Sequence, residues 1–373
     1  MKGPLQLIAV SGCALAVSAA LASAQADDAV VGINVINLQK LDADAQNATL
    51  SNLKTAGVTV IRTGIAPDDK GIDFAKRAYV QGIRIDLILG VQFRANAPTR
   101  PWQPKEFPRD WSGHPLSYAD PDQFRAYFQP LLDKLDGLGI KLAAFELGNE
   151  LNSAAFNSEF PLPGKGKLFG LNDLYNDLEA RQIAAGYLQY IKLLTVLKDI
   201  RDHSKVNRKT PVLTAGFAAY EGPEGPIKGA RTDSVSTNAT LDFLRANGVD
   251  ELVDAYAVHV YPWSNNPGNP SAAAARRDRL EKYVLAKCRP SGSRDGKPCW
   301  ITEWGFKNTS ASCPSDDSDQ ALLTQEMRNN FRPNVQQKRL LGMLYYAWID
   351  DAEHYGVFRC GSLTKSGRLA LEP

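Results

Sequence analysis

The chain has 373 residues, of which 44% are hydrophobic and 23% charged, a composition typical of a globular protein with ample apolar material for a large core. The formal net charge is +2, and lysine and arginine form no long block. Charge therefore gives no reason to expect nucleic acid or an anionic membrane surface as a partner.

The N-terminal segment is typical of a secretory signal peptide. After a short positive start, the run from Leu5 to Leu21 is mostly apolar, and small residues near positions 24–26 fit a cleavage site. The run is too short and interrupted to favour a retained transmembrane helix. Val10–Cys13 loosely resembles a bacterial lipoprotein box, but the apolar run continues past the cysteine. We expect residues 1–26 to be removed and the mature chain, 27–373, to be secreted or periplasmic without a membrane anchor.

The candidate strands are short, continuous apolar runs that recur along the mature chain. Such runs are typical of strands buried on both faces of a parallel sheet. There are eight of them: Val31–Ile36, Val58–Thr63, Ile83–Leu89, Lys141–Leu147, Pro211–Phe217, Val253–Tyr261, Pro298–Glu303 and Gly342–Ile349.

Segments with apolar residues at helical spacing lie between these runs. The candidate helices are Asp42–Ala56, Asp122–Leu138, Leu174–His203, Thr237–Asn247, Ala272–Ala286 and Asp319–Gln337. Only residues 350–373 remain after the eighth strand, so the last helix is expected to be short or irregular.

This alternation of strand and helix predicts a parallel sheet, and eight strands predict the α/β fold of a single (β/α)8 TIM barrel. The extra length lies in three long loops, after strands 3, 4 and 5, at residues 92–119, 152–172 and 218–236. In such barrels the loops that follow the strands build the active-site face. No second domain or repeat is indicated, and we expect a monomer.

Four cysteines remain once the signal peptide is removed. An even number in an exported chain predicts disulfides. Of the three possible pairings we favour Cys288–Cys299, which closes a short local loop, together with Cys313–Cys360. Free thiols are the alternative, and no pair of cysteines has the spacing of metal ligands.

Two of the candidate strands lead into a glutamate. Residues 143–150 read Ala-Ala-Phe-Glu-Leu-Gly-Asn-Glu, and residues 299–305 read Cys-Trp-Ile-Thr-Glu-Trp-Gly. A carboxylate at the end of a buried strand costs free energy on folding, so it is expected only where it is paired or has a functional role. The ends of strands 4 and 7 face each other across the mouth of an eight-stranded barrel, so Glu150 and Glu303 are expected to meet there. A pair of carboxyl groups is what cleavage of a glycosidic bond requires.

This arrangement resembles the clan A retaining glycoside hydrolases, a cellulase-like superfamily of TIM barrels. The motifs that carry the resemblance are Gly148-Asn149-Glu150 on strand 4 and Thr302-Glu303-Trp304 on strand 7. The resemblance implies that Glu150 is the catalytic acid/base, that Glu303 is the nucleophile, and that Asn149 binds the sugar 2-hydroxyl. Leu151 stands where many members have proline, and no single family of the clan is assigned.

Four further positions match the clan's pattern. Arg62 ends strand 2, where the clan often has an arginine near the nucleophile, and Trp348 on strand 8 matches an aromatic platform under the sugar. His259 and Tyr261 share one face of strand 6 by alternation, so Tyr261 could donate to Glu303 and His259 could contact the sugar or Glu303. The alternative for Arg62 and His259 is a structural role in the core.

Other residues near these motifs also have expected roles. Glu146 lies within strand 4, and because an unpaired charge there would be expensive, we expect it to pair with Arg62 or a lysine. Aromatic rings stack well on sugars. Trp111, Trp263 and Trp304 are therefore further candidate substrate contacts, whereas Trp300 lies inside a strand and fits the core.

Other chemistries find little support in the sequence. It has no Gly-x-Ser-x-Gly elbow, no phosphate-binding loop and no His-Glu-x-x-His motif, and its four histidines lack ligand spacing, so neither a metal nor a cofactor is expected. The sequence predicts a retaining, endo-acting glycoside hydrolase that cleaves β-linked oligo- or polysaccharides, such as a β-glucan or related β-glycan, by double displacement. A transglycosylase that uses the same residues and a non-catalytic glycan-binding barrel remain as alternatives.

Overall fold

The structure is a computed structural model that describes residues 29–100, 113–220, 225–226, 231–261, 266–310, 312–349 and 354–372. The expected signal peptide, Trp111 and Trp263 lie outside the described residues. Within the described part of the chain, no helix is both long and apolar enough to span a bilayer.

Eight parallel strands form the predicted barrel. They are β1 (Val30–Asn34), β2 (Val60–Thr63), β3 (Arg84–Leu89), β4 (Ala144–Leu147), β5 (Val212–Leu213), β6 (Tyr256–Val260), β7 (Cys299–Trp304) and β8 (Leu340–Tyr345). Their order in the sheet is β5-β4-β3-β2-β1-β8-β7-β6. Parallel bridges from Leu213 to Ala255 and from Phe217 to Val258 link the two outer strands, so the barrel is nearly closed. The predicted fold class is confirmed.

The fifth strand is shorter than predicted because other groups take the place of its ladder partners. The backbone N–H of Ala215 donates to the hydroxyl of Tyr190, and that of Gly216 donates to the carboxylate of Glu146. The side chain of Thr214 accepts from the next strand at Ala257. The strand therefore ends early, although its chain continues along the barrel wall.

Nine helices lie in the described ranges. They are α1 (Ala43–Thr55), α2 (Asp69–Val80), α3 (Pro121–Gly137), α4 (Leu171–Asn176), α5 (Leu178–His203), α6 (Thr237–Ala246), α7 (Pro270–Arg279), α8 (Ser318–Gln336) and α9 (Lys365–Leu371), with a π-helical turn at Leu280–Val284 and 3-10 turns at Leu38–Lys40, Leu116–Tyr118 and Val249–Glu251. Four of the predicted helices, those now labelled α1, α3, α6 and α8, agree with the structure to within one residue at each end. The last helix, α9, is short, as expected.

Three predictions about the helices need correction. The predicted helix Leu174–His203 is interrupted at Asp177, whose carboxylate accepts from the N–H groups of Glu179 and Ala180 and so starts α5 afresh. The predicted helix Ala272–Ala286 ends as an α-helix at Arg279 and continues as the π-helical turn. Helix α2 was missed because Phe74 is the only large apolar residue that it buries.

An apolar floor fills the lower interior of the barrel. Trp300 is its largest member, and it packs with small and aliphatic residues of the other strands. Gly342 makes room for this ring, since a Cβ there would lie 2.3 Å from the indole. The prediction that Trp300 belongs to the core is confirmed, and polar side chains begin directly above this floor.

The loops at the carboxyl-terminal end of the barrel, opposite the apolar floor, are joined by short strand pairings. Lys167–Phe169, from the loop after β4, pairs antiparallel with Gly225–Pro226 and parallel with Ser234–Val235, both from the loop after β5. Both favoured disulfides are present, Cys288–Cys299 and Cys313–Cys360. The second joins the loop after β7 to the hairpin formed by Phe358–Arg359 and Ser362–Leu363.

Candidate active site

Glu150 and Glu303 meet at the carboxyl-terminal end of the barrel. One oxygen of each carboxylate and a ring nitrogen of His259 all lie within 4.8 Å of one another. The glutamate side chains keep part of their surface open, 17% for Glu150 and 10% for Glu303. The structure thus brings together the two acidic groups that the sequence placed on opposite strands.

A β-bulge in β7 sets the direction of Glu303. The register of β7 shifts between Ile301 and Glu303 against β6, and between Ile301 and Trp304 against β8. Glu303 consequently faces the barrel interior, whereas Trp304 faces outwards and packs edge-on against Phe331 and Tyr345. Trp304 is buried behind the strand, which corrects its selection as a substrate contact.

Glu303 accepts a hydrogen bond on each carboxylate oxygen. The guanidinium of Arg62 donates to one oxygen and the hydroxyl of Tyr261 donates to the other, each at 2.5 Å. Burial raises the pKa of Glu303, but the positive charges of His259 and Arg62 and these two hydrogen bonds outweigh burial, so its pKa lies below the usual range. Glu303 is therefore held as a carboxylate.

Arg62 uses all five of its N–H donors in this cluster. Nε and Nη2 form a bidentate ion pair with Glu146, Nη1 donates to Asn34 and Glu303, and Nη2 also donates to Asn149. Arg62 is 1% exposed and Glu146 is fully buried. The expected pairing of Glu146 is confirmed, with Arg62 as its partner.

The backbone after β4 is shaped to present Asn149 and Glu150. Glu150 has a φ of 42°, in the left-handed region that side chains other than glycine seldom adopt, and its N–H donates to the carbonyl of Gly216. Arg62 can only donate, so it fixes the amide of Asn149 with Oδ1 inwards. The amide NH2 of Asn149 is left directed away from Arg62, where it can donate to a ligand.

His259 connects the two glutamates. Its Nδ1 lies 2.8 Å from Glu150 and 3.5 Å from Glu303, and the ring is buried. Burial lowers the pKa of His259, but the charge of Glu303 and the hydrogen bond and charge of Glu150 outweigh burial and the opposing charge of Arg62, so the pKa of His259 is raised. Nδ1 of His259 is therefore hydrogen-bonded to Glu150 and lies close enough to Glu303 to interact with the charge of that carboxylate.

Gly216 is a site residue that sequence analysis missed. Its N–H donates to Glu146, its carbonyl accepts from Glu150, and a Cβ on it would lie 2.0 Å from Nε2 of His259. The imidazole thus lies directly against this glycine. A glycine inside a strand pattern can indicate such a close approach, but the signal does not name the partner.

Three tyrosines form an aromatic wall beside Glu303. The ring of Tyr261 packs edge-on against Tyr346 and Tyr355, at centroid distances of 5.8 and 5.2 Å, and those two rings also contact each other. All three rings are partly exposed. Tyr346 and Tyr355 were not among the predicted contacts, although Tyr346 follows β8 on the interior face expected from alternation.

Trp348 is not part of this wall. Strand β8 ends at Tyr345, so Trp348, selected by its match to the clan's aromatic platform, lies beyond the strand. Its indole is 1% exposed and stacks on Phe358 at 4.7 Å, which leaves no open face for a sugar ring. The prediction of Trp348 as the platform is therefore corrected.

The group formed by Glu150, His259 and Glu303 also has the spacing of a metal site, and no other group in the described ranges does. The guanidinium of Arg62 already occupies this region and donates to Glu303, so a metal cation there would compete with it for the same carboxylate.

The sequence matches no protein-family model and no curated protein sequence. Its fold is shared by solved glycoside hydrolases. One is a fungal β-1,4-galactanase, with 14% identity over 91% of this chain and 93% of that chain, at a TM-score of 0.52. Another is a family 5 xyloglucanase from Paenibacillus pabuli, with 11% identity over 93% and 98% of the chains, at 0.51. A β-glucosidase has 12% identity over 92% and 97%, at 0.53. At these identities the similarity shows the fold alone.

Proposed function

We propose that this protein is a retaining glycoside hydrolase that cleaves β-linked oligo- or polysaccharides by double displacement, with Glu303 as nucleophile and Glu150 as acid/base. The observation that carries the proposal is the approach of these two carboxyl groups within 4.8 Å in different electrostatic surroundings. Retention uses carboxyl groups about 5 to 5.5 Å apart, whereas inversion leaves room for a water at about 6.5 to 9.5 Å. The separation here favours retention.

The contacts support the division of roles. Glu303 accepts hydrogen bonds from Arg62 and Tyr261 and its pKa lies below the usual range, which suits a nucleophile that reacts as a carboxylate. Glu150 has more of its side-chain surface open, 17% against 10%, and has His259 as its partner, which suits a group that exchanges a proton with the leaving oxygen and with water.

The first step of the proposed reaction breaks the glycosidic bond. The carboxylate of Glu303 attacks the anomeric carbon, the bond to the leaving oxygen breaks, and the proton of Glu150 passes to that oxygen. Glu303 becomes a neutral ester, and Glu150 becomes a carboxylate that His259 stabilises through Nδ1.

The second step returns the enzyme to its starting state. Glu150 removes a proton from water, the oxygen attacks the anomeric carbon, and the ester bond to Glu303 breaks. The hydrogen bonds from Arg62 and Tyr261 stabilise the carboxylate that leaves. No cofactor enters either step.

The substrate is proposed to be a β-glucan or related β-glycan that is cut internally. Asn149 presents its NH2 group to a sugar hydroxyl, and the aromatic wall offers ring faces on which a sugar can pack. The galactanase and xyloglucanase that share the fold are named for β-glycans. Two disulfides fit the oxidising compartment expected for a secreted or periplasmic enzyme.

The test is turnover on a panel of β-glycans, followed by two variants. E303Q should fold and lose about a thousandfold or more in kcat, because the amide cannot attack the anomeric carbon. E150A should form the glycosyl-enzyme from a substrate with a good leaving group and then stall, and azide should restore turnover with retained configuration.

The control is E159Q, a change of a part-buried glutamate that contacts Ser117 and lies away from the barrel interior. It should leave kcat within about threefold of wild type. Normal turnover by E303Q, or an azide product of inverted configuration from E150A, would reject the proposed mechanism.

A further inference from the structure

Asp86 is a buried carboxyl group that the mechanism above does not use. It lies on β3, in register with Arg62 on β2 and Ala144 on β4, where the apolar floor gives way to the charged cluster. It is 0% exposed, and neither of its oxygens has a hydrogen-bond partner in the described structure. A buried polar group without a partner needs a physical explanation.

Arg62, on the neighbouring strand, is the cation that acts on Asp86, but it has no N–H group left to donate to this carboxyl group. Its five N–H groups are directed to Glu146, Asn34, Glu303 and Asn149. An ionised Asp86 would therefore be a buried anion without a donor. Burial and the negative charge of Glu146 raise the pKa of Asp86 well above the usual range, and the opposing effect of Arg62 is smaller.

We propose that Asp86 is a positioning residue that works as a neutral carboxylic acid, and that loss of its proton sets the alkaline limit of activity. The inference rests on the proposed function. When hydroxide removes the proton, the new carboxylate competes for the donors of Arg62, which hold Glu303 and Asn149 in place. The nucleophile then loses a hydrogen bond and part of its balancing charge.

The charged groups that act on Asp86 are Arg62 from β2 and Glu146 from β4. Asn34 from β1 and Thr302 from β7 also face the cluster and are uncharged. Further towards the opening lie the titratable groups of the reaction itself, Glu303, His259, Glu150 and Tyr261. His259 can lose its proton at alkaline pH too, so the test has to separate its effect from that of Asp86.

The separating variant is D86N, which keeps the shape of the side chain and cannot ionise. Its kcat/KM near pH 5 should lie within about threefold of wild type, because the amide reproduces the neutral form. At alkaline pH, where wild type loses activity, D86N should retain about tenfold more of its own maximum. E159Q, which removes a buried acid elsewhere, should follow the wild-type profile throughout.

A second readout does not depend on turnover. The infrared spectrum of wild type at neutral pH should contain a protonated-carboxyl band that is missing from D86N and present in E159Q. In wild type this band should disappear over the pH range in which activity is lost. If D86N does not fold, the same titration in E150Q decides the question, because this variant lacks the acid/base carboxyl that is also protonated in the proposed mechanism and should keep the Asp86 band.

Three results would overturn the inference. One is a folded D86N that is inactive at every pH, since that would mean the ionised form is required. The second is absence of the infrared band in wild type, and the third is identical alkaline limits in wild type and D86N. Each can occur while E303Q and E150A behave as proposed. Conversely, failure of the hydrolase proposal leaves the infrared result standing.

Discussion

At the scale of single residues, the environment of Glu303 is built from Arg62 on β2, His259 on β6 and Tyr261 directly after β6. Burial alone would favour its neutral form, and the cations Arg62 and His259 reverse that preference. The hydroxyl of Tyr261 adds the second hydrogen bond, at 2.5 Å, and its own pKa is raised well above the usual range by burial and by the charge of Glu303. Tyr261 therefore remains a donor over the whole working pH range.

Replacement of this donor gives a prediction with a definite sign. Y261F removes a hydrogen bond to a charged group, worth about 1.5 to 3 kcal/mol, so kcat/KM near pH 5 should fall about tenfold to a hundredfold. The pKa of Glu303 rises without this donor, so the acidic limb of the pH profile should move to higher pH. The measurement is kcat/KM against pH for both proteins.

The matched control is Y256F, the same change at the start of the strand that Tyr261 follows. The hydroxyl of Tyr256 donates to Asp250, away from the glutamate pair, so its loss should reduce stability and leave the acidic limb in place. The assigned role of Tyr261 would be contradicted if the acidic limb of the pH profile did not shift in Y261F, or if it shifted equally in both variants.

Sequence alone identified the site residues that have a strong local signal. Glu150, Glu303, Arg62, His259 and Tyr261 all lie in one cluster, although their catalytic roles stay predictions. The residues it missed are neutral or buried ones whose importance comes from a neighbour in space, namely Asn34, Asp86, Gly216, Tyr346 and Tyr355. Alternation along β8 places only Tyr346 on the interior face, and no spacing rule brings the five together, because each belongs to a different strand or loop.

At the scale of elements, the early end of β5 brings its backbone into the site. After Leu213 the chain no longer follows a regular ladder, and Gly216 passes close under the imidazole of His259. The N–H of Gly216 donates to the carboxylate of Glu146 and its carbonyl accepts from the N–H of Glu150, so one residue helps to align both glutamates. Position 216 therefore has no space for a side chain.

G216A should therefore disable the site. The new Cβ would lie 2.0 Å from His259 and 2.8 Å from Glu146, and displacement of catalytic groups by about 1 Å can cost about a hundredfold in rate. We expect kcat/KM to fall at least about a hundredfold, with a lower unfolding midpoint, measured by kinetics and urea denaturation.

G137A is the matched control for this change. Nothing lies within 4 Å of a Cβ at Gly137 at the end of α3, so alanine there should keep full activity and change stability by less than about 1 kcal/mol. Full activity in G216A would show that the backbone after β5 can shift to accommodate a Cβ, which would contradict a rigid site.

The elements that sequence predicted well are those with a continuous apolar signal. All eight strands fall in this class because both of their faces are buried. The errors arise where the backbone departs from a regular element, as at the cap of Asp177 and at the bulge before Glu303. Periodicity carries no information about either feature. Trp304 and Trp348 were selected as aromatic residues at strand ends, a signal that does not tell a buried ring from an exposed one.

At the scale of the whole molecule, the barrel concentrates its buried charges in one interior layer above an apolar floor. Folding therefore shifts several pKa values in one place. The pKa of Glu303 is lowered, and those of Asp86 and His259 are raised. The overall fold followed from eight strands counted along the chain, but the protonation pattern depends on distances that only the closed barrel creates.

The dependence of stability on pH follows from these directions. Glu303, with a lowered pKa, stabilises the fold above its unfolded pKa near 4.3, and that contribution is lost as pH falls. Asp86 binds its proton more tightly when folded, so stability is lost as pH rises above about 4. His259, with a raised pKa, contributes below its unfolded pKa of about 6.5 and loses that contribution at higher pH.

The free energy of unfolding should therefore fall by several kcal/mol from pH 5 to pH 8, since a proton held only by the folded state costs about 1.4 kcal/mol per pH unit, with a separate fall below the unfolded pKa of Glu303. Urea denaturation across this range, with the disulfides intact, measures the curve. E303Q should flatten its acidic side and D86N its alkaline side. D73N, which changes a carboxylate that is 61% exposed, should keep both slopes. Stability that stays constant or rises from pH 5 to pH 8 would mean that the buried layer does not carry the charges assigned to it.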